Sequence, residues 1–221
     1  IKGLSIINCP ASGIFTGSID NVSLKGLYLG VEPDGSTPGQ NGGNTSNTVP
    51  INRGDNMQLS GTTNPTIGGI NPADRFISVS AAGSGIAMGE GSHNATIQGG
   101  YIGVGANGTT AMSNERGGVQ AYASNNISIG GGGLSGRNVL SGNTGNAAGT
   151  DSFGVNIGDS TGGVVQGNLI GTDWTGMVAV PNTSGVNIST GTTLNLVGGD
   201  DASERNIISG NNVVGIVLAG D

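Results

Sequence analysis

A tetrad of the form Gly–apolar–x–apolar recurs along the whole chain, and no other feature constrains the fold as much. It stands at Gly13-Ile14-Phe15-Thr16, Gly85-Ile86-Ala87-Met88 and Gly118-Val119-Gln120-Ala121. It returns at Gly154-Val155-Asn156-Ile157, Gly185-Val186-Asn187-Ile188 and Gly215-Ile216-Val217-Leu218, with a degenerate copy at Asn56-Met57-Gln58-Leu59. The starting positions step by 43, 29, 33, 36, 31 and 30 residues. A loose period of this size marks a repeat architecture with insertions at its corners.

A second pattern alternates from one copy to the next. One type carries Ile67-Gly68-Gly69, Ile129-Gly130-Gly131 or Val197-Gly198-Gly199, each followed by an arginine: Arg75, Arg137 and Arg205. In all three the arginine lies eight residues after the apolar residue. The other type carries "LYLGVEPDG", "YIGVGANG" and "LIGTDWTG". Aligned on these runs, Asp173 falls opposite Pro33 and Ala106, and Trp174 opposite Asp34 and Asn107. Gly176 then lies one residue beyond Gly35 and Gly108. A position that varies among Asp, Ala and Pro is a turn rather than a reaction centre.

Composition narrows the choice further. The 221 residues include 46 glycines, three phenylalanines, three tyrosines and one tryptophan. That is too little bulky apolar surface for a broad core, and there is no three-residue period for collagen. Yet short apolar runs recur ("LSII", "VVQGNLI", "VVGIVL"), so surface is available to bury, unlike in a disordered chain. Each repeat reads as three short strands closed by Gly, Asn or Ser-Gly. Strands this short pair only with the copies above and below, as parallel ladders about 4.8 Å apart. Seven coils give a rod on the order of 30 Å long. Asparagines at corners, such as Asn138 and Asn206, are placed to stack their amides into ladders. The expected fold is all-β, a right-handed parallel β-helix (β-solenoid) of about seven three-stranded coils. It forms a single domain over 1–221, uncapped at both ends, with a corner insertion at about 31–55.

The runs "NLIGTDWTGMVAVPNTSGVNI" and "LNLVGGDDASERNIISGNNVVGIVLAG" resemble the right-handed parallel β-helix repeats of large secreted bacterial proteins, similar in fold to pectate lyases. The match is clearest over roughly 94–221. This resemblance implies an extracellular or cell-surface prokaryotic protein, and it carries little information about activity.

Chemistry finds few footholds. The net charge of −7 and seven scattered Lys and Arg argue against nucleic acid. No apolar run is long enough to span a membrane as a helix. Cys9 is single, so no internal disulfide forms, and it reads as a small buried hydrophobe. His93 is the only histidine and lacks the companions of a transition-metal site. Paired catalytic carboxylates need to lie about 5–10 Å apart. Glu90 and Asp159 share a register but stand two coils apart with Ala123 between them, and Asp74 and Glu204 are separated by Gly136. Asp200 and Asp201 read as turn caps. Catalytic, cofactor and metal residues are therefore expected to be none, although Asp, Asn and carbonyls at corner loops suit Ca2+. The row Arg75, Arg137 and Arg205 reads as guanidinium groups bonded to loop carbonyls rather than a track for an acidic polymer, since no aromatic platform for sugar rings accompanies it. N-x-S/T sequons occur at Asn21, Asn44, Asn94, Asn107, Asn126, Asn182 and Asn187, most of them expected by chance in such a composition.

The sequence starts in "IKGLSIINC" and stops after "NNVVGIVLAGD", both strand-like, so unpaired edges are expected at each end. The expectation is a non-enzymatic extracellular structural solenoid: a stackable subunit of a head-to-tail filament, or a segment of a long surface stalk or adhesin, self-associating through its open edges or continuing in a longer chain. The alternative is a carbohydrate-active or glycan-binding β-helix.

Overall fold

A computed structural model describes residues 1–42, 54–89, 91–131, 133–145 and 152–220. The chain is a right-handed, three-stranded parallel β-helix of about seven coils. Among the described residues there is no α-helix, only three short 3₁₀ turns.

Each tetrad becomes one rung of sheet one: Ile14–Gly17, Met57–Ser60, Ser84–Gly89, Gly117–Tyr122, Phe153–Gly158, Ser184–Ile188 and Val214–Leu218. Sheet two is built from Ser23–Leu24, Thr66–Gly68, Thr96–Gln98, Ser128–Gly130, Val164–Gln166 and Leu196–Val197. Sheet three is built from Ser5–Ile6, Tyr28–Leu29, Ile77–Ser78, Tyr101–Ile102, Val139–Leu140, Leu169–Ile170 and Ile207–Ile208. Register follows the pattern in the sequence: Met57, Ile86, Val119, Val155, Val186 and Ile216 pair in succession. With Leu24, Ile67, Ile97, Ile129 and Val165 from sheet two, the members of this row from Met57 to Val186 fill a narrow core along the axis. Small aliphatics suffice because the layers are only one strand spacing apart.

Sheet three departs from simple alternation. Its outward residues Ile77, Tyr101, Val139 and Leu169 are also buried, in a second cluster with Val31, Val104, Met112 and Val180. Small antiparallel hairpins provide the cover. They are closed by the bridges Val31↔Pro38, Val104↔Ala111 and Thr172↔Ala179, one on every second coil. Burial on both faces accounts for the paired apolar residues "LI", "YI", "VL" and "II" in these strands.

The hairpins explain the alternation of repeat types. The return arm of each leans on the coil beneath it: the Ser80 N–H donates to Met112 O (3.1 Å) and the Gly142 N–H to Val180 O (3.1 Å). Each hairpin also rests on the one below, with the Ala106 N–H donating to Gly35 O (2.9 Å) and the Trp174 N–H to Gly108 O (3.0 Å). A two-stranded hairpin thus occupies two layers, and neighbouring coils cannot both carry one. The intervening coils carry the 3₁₀ turns Pro72–Asp74, Gly133–Gly136 and Ala202–Glu204.

The expected corner insertion divides. Residues 31–38 form the first hairpin of the column, and 43–53 lie outside the described residues.

The asparagine ladders are present. The Asn138 side-chain amide donates to Asn168 Oδ1 (3.0 Å), and Asn168 to Asn206 Oδ1 (3.2 Å). A second column runs from Asn114 through Asn143 and Asn182 to Asn211. Both also satisfy buried backbone carbonyls, such as Ile97 and Ile102. A third, exposed ladder joins Asn21, Asn64, Asn94 and Asn126, with φ of 56, 53, 57 and 54°. Its residues take the left-handed conformation that asparagine tolerates at a bend.

Candidate functional site

The hairpins shift the alignment of "LIGTDWTG" on "LYLGVEPDG" and "YIGVGANG" by one residue. The Glu32, Gly105 and Asp173 N–H groups donate to Thr37, Thr110 and Val178 carbonyls. The Gly35, Gly108 and Gly176 N–H groups donate back to Glu32, Gly105 and Asp173. Asp173 therefore matches Glu32 and Gly105, Trp174 matches Pro33 and Ala106, and the three glycines are equivalent. The sequence alignment set Asp173 opposite Pro33 and Ala106, one residue too late, and Asp173 caps its hairpin from a different position than Asp34 and Asn107 do. It accepts from Thr175 Oγ1 and the Met177 and Val178 amides, whereas Asp34 and Asn107 accept from the residues two and three ahead. The Thr175 hydroxyl, then the backbone amides of Val178 and Met177, hold the Asp173 carboxyl below its usual range.

Asp34 and Glu204 serve corners as well. Glu204 accepts from the Asp201 amide (3.0 Å). Asp74 instead pairs across coils with Lys25 (2.9 Å) and Lys2 (3.2 Å), which keep its carboxyl below the ordinary value. Asp159 raises the pKa of Tyr122 through a side-chain hydrogen bond. Glu90 lies outside the described residues. Among the described residues no group of three or more His, Cys, Asp or Glu could hold a metal. His93 takes its place in a corner row between Thr63 and Asn125, its Nε2 3.4 Å from Thr63 Oγ1. Cys9 is half-buried, with its N–H bonded to Asn41 Oδ1 (3.0 Å).

Three sequons acquire a structural reason. Asn21, Asn94 and Asn126 occupy the exposed ladder, Val22, Ala95 and Ile127 pack inward, and Ser23, Thr96 and Ser128 start the strands of sheet two. Asn64-Pro65-Thr66 repeats the same geometry. Bend, core and strand in immediate succession generate N-x-S/T without any call on chance.

The arginine row is real, but Arg75 and Arg137 reach one coil upward rather than to their own corners. Arg137 Nε donates to Gly167 O (2.9 Å). The Arg75 guanidinium lies 4.5 Å from the centroid of the Tyr101 ring. The aromatic residues missing from the sequence reading are gathered on this face: a Cβ built on Gly108 would fall 2.9 Å from Trp174 Cβ and 3.0 Å from Tyr101 Cε2. Tyr28 and Arg75 line one groove. The strand register brings Tyr28, Ile77 and Tyr101 into one row, which no local sequence signal announces. The outer face of sheet three, flanked by hairpins and arginine corners, is the candidate site. The fold defines the class, a parallel β-solenoid. Compared with known families, curated proteins and solved structures, the chain finds no match.

Proposed function

We propose that this solenoid is a non-catalytic structural element of an extracellular or cell-surface assembly, continued along its axis by a further β-layer. That layer comes either from more of the same chain or from another copy stacked head to tail. One observation carries the reading. Met57, Ile86, Val119, Val155 and Val186 are 0% exposed, whereas Ile216, next in the same row, is 43% exposed. Leu218 beside it is 76% exposed, and the outer edge of that strand is unpaired. A position built for burial, repeated at an open edge, invites another strand. Heterologous contacts of this kind give open filaments when one copy meets the next.

Electron microscopy and analytical ultracentrifugation of the 221-residue chain test the proposal. Filaments whose axial repeat matches one chain support copy-to-copy stacking. Fusion of a further solenoid coil to the C-terminus, with a rise in melting temperature and loss of any self-association, supports continuation. Monomers whose stability is unchanged by the added coil, or that cleave a polysaccharide panel, overturn it.

A further inference from the structure

A groove of about 550 Å³ opens on the outer face of sheet three near the N-terminal coils. Sheet three contributes Tyr28 and Ile77, and Leu4 lies beside them. The hairpins contribute Pro33 and Ala106, and the first 3₁₀ corner contributes Arg75. The volume is that of a small-molecule site, and the lining sets apolar surface beside the polar groups of Ser5 and Tyr28 and one cation, Arg75.

That cation is uncommitted. The Arg75 guanidinium stacks on Tyr101 and pairs with no carboxylate among the described residues. Its neighbour Asp74 is taken by Lys2 and Lys25. Two cations therefore share one carboxylate at this corner and a third, Arg75, has none, in a chain whose net charge is −7. The next repeat supplies an internal contrast. There Arg137 is spent on the Gly167 carbonyl, and the hairpin carries the Trp174 indole at the position of Ala106. Arg205 also lines a groove, at the last coil, but shares it with Asp200 and Asp201, whereas the lining of the first repeat's groove holds no carboxylate.

We propose that this groove binds a small monocarboxylate with a flat apolar body. The carboxylate takes the paired N–H groups of Arg75, whose planar fork matches it, and the body lies on Tyr28 and Leu4. The site does not depend on the axial role proposed above.

Naphthalene-2-carboxylate and the uncharged naphthalene-2-methanol serve as probes, titrated into the full chain by calorimetry and by NMR of isoleucine and leucine methyls. The acid is expected to bind at least tenfold more tightly than the alcohol and to shift the Leu4 and Ile77 methyls. Arg75→Gln should abolish that preference, Arg75→Lys should keep part of it, and Arg137→Gln should leave it unchanged. Circular dichroism verifies that each variant is folded. Equal affinity for acid and alcohol, an unaffected Arg75→Gln variant, or shifts confined to Leu196, Ile216 and Leu218 would each overturn the proposal.

Discussion

Phe76 occupies the space that a side chain at Gly100 would need: a Cβ built there would fall 2.2 Å from the ring Cζ. The two residues stand at one register position on successive coils, directly below the ladder Asn138–Asn168–Asn206. The Gly100 N–H donates to Asn138 Oδ1 (2.8 Å), so the ladder gives way here to an aromatic plug with a glycine above it.

Gly100→Asn should therefore destabilise the chain by about 1–3 kcal/mol through overpacking. Phe76→Asn alone should cost about 3–5 kcal/mol, by analogy with large-to-small core changes. The double variant Phe76→Asn/Gly100→Asn should cost less than the two singles summed, because it extends the amide ladder. Urea unfolding of the four proteins in the cycle measures the coupling. Simple additivity would show that ladder and plug are not exchangeable.

The buried and exposed asparagine ladders should respond differently. Asn168 accepts from the Asn138 amide and donates to the Ile129 and Gln166 carbonyls and to Asn206. Asn168→Ala should cost roughly 3 kcal/mol or more, since several buried partners are stranded at about 1–3 kcal/mol each. Asn64→Gly, at φ 53° on the surface, should change stability by less than about 0.5 kcal/mol. Equilibrium denaturation of both variants decides the comparison.

Acid should weaken the N-terminal corner. Hydrogen bonds from Lys25 and then Lys2 hold the Asp74 carboxyl below its ordinary value of 3.8. A depressed carboxylate contributes stability that is present above its unfolded pKa and disappears as pH falls through the lower folded value. The melting temperature should therefore begin to drop below about pH 4. Asp74→Asn should be less stable than wild type at neutral pH and converge with it in strong acid. Thermal melts across that range would show parallel curves if the ion pairs contributed nothing.

The alkaline limb carries the opposite sign. Hydrogen bonding to Asp159 raises the Tyr122 phenol above its ordinary value of 10.0. Its contribution is intact below the unfolded pKa and is lost as pH climbs through the folded one. A phenolate absorbance titration should show one late-ionising tyrosine, absent in Tyr122→Phe and shifted down in Asp159→Asn.

Ile216→Asp separates axial association from folding. The residue lies in the open final rung, so the melting temperature of the unassociated chain should change little while any end-to-end assembly is lost. Val155→Asp, the same change in the same row at 0% exposure, should prevent folding. Sedimentation velocity with circular dichroism reads both.

The axial rungs were legible because glycine and alternation act within four residues, as in Gly154-Val155-Asn156-Ile157. Asn138 and Asn206 were legible as ladder members for the same local reason. The hairpin register was not, because Asp173 caps a turn that Asp34 and Asn107 cap from two positions later. Nor was the aromatic face: Tyr28 and Tyr101 are 73 residues apart in sequence and meet in one row only through the ladder of sheet three. Arg75 looked like its equivalents Arg137 and Arg205, and only the surrounding coils make its environment different.

Because each hairpin is two layers thick, the solenoid can lengthen or shorten only in steps of two coils. Excising a single coil would bring two hairpin-bearing layers into contact, or two arginine corners, and leave one outer arm with no floor to lie on. The unit that evolution or an engineer can add, delete or shuffle in this rod is therefore a pair of coils, about twice the length that the glycine rhythm suggests.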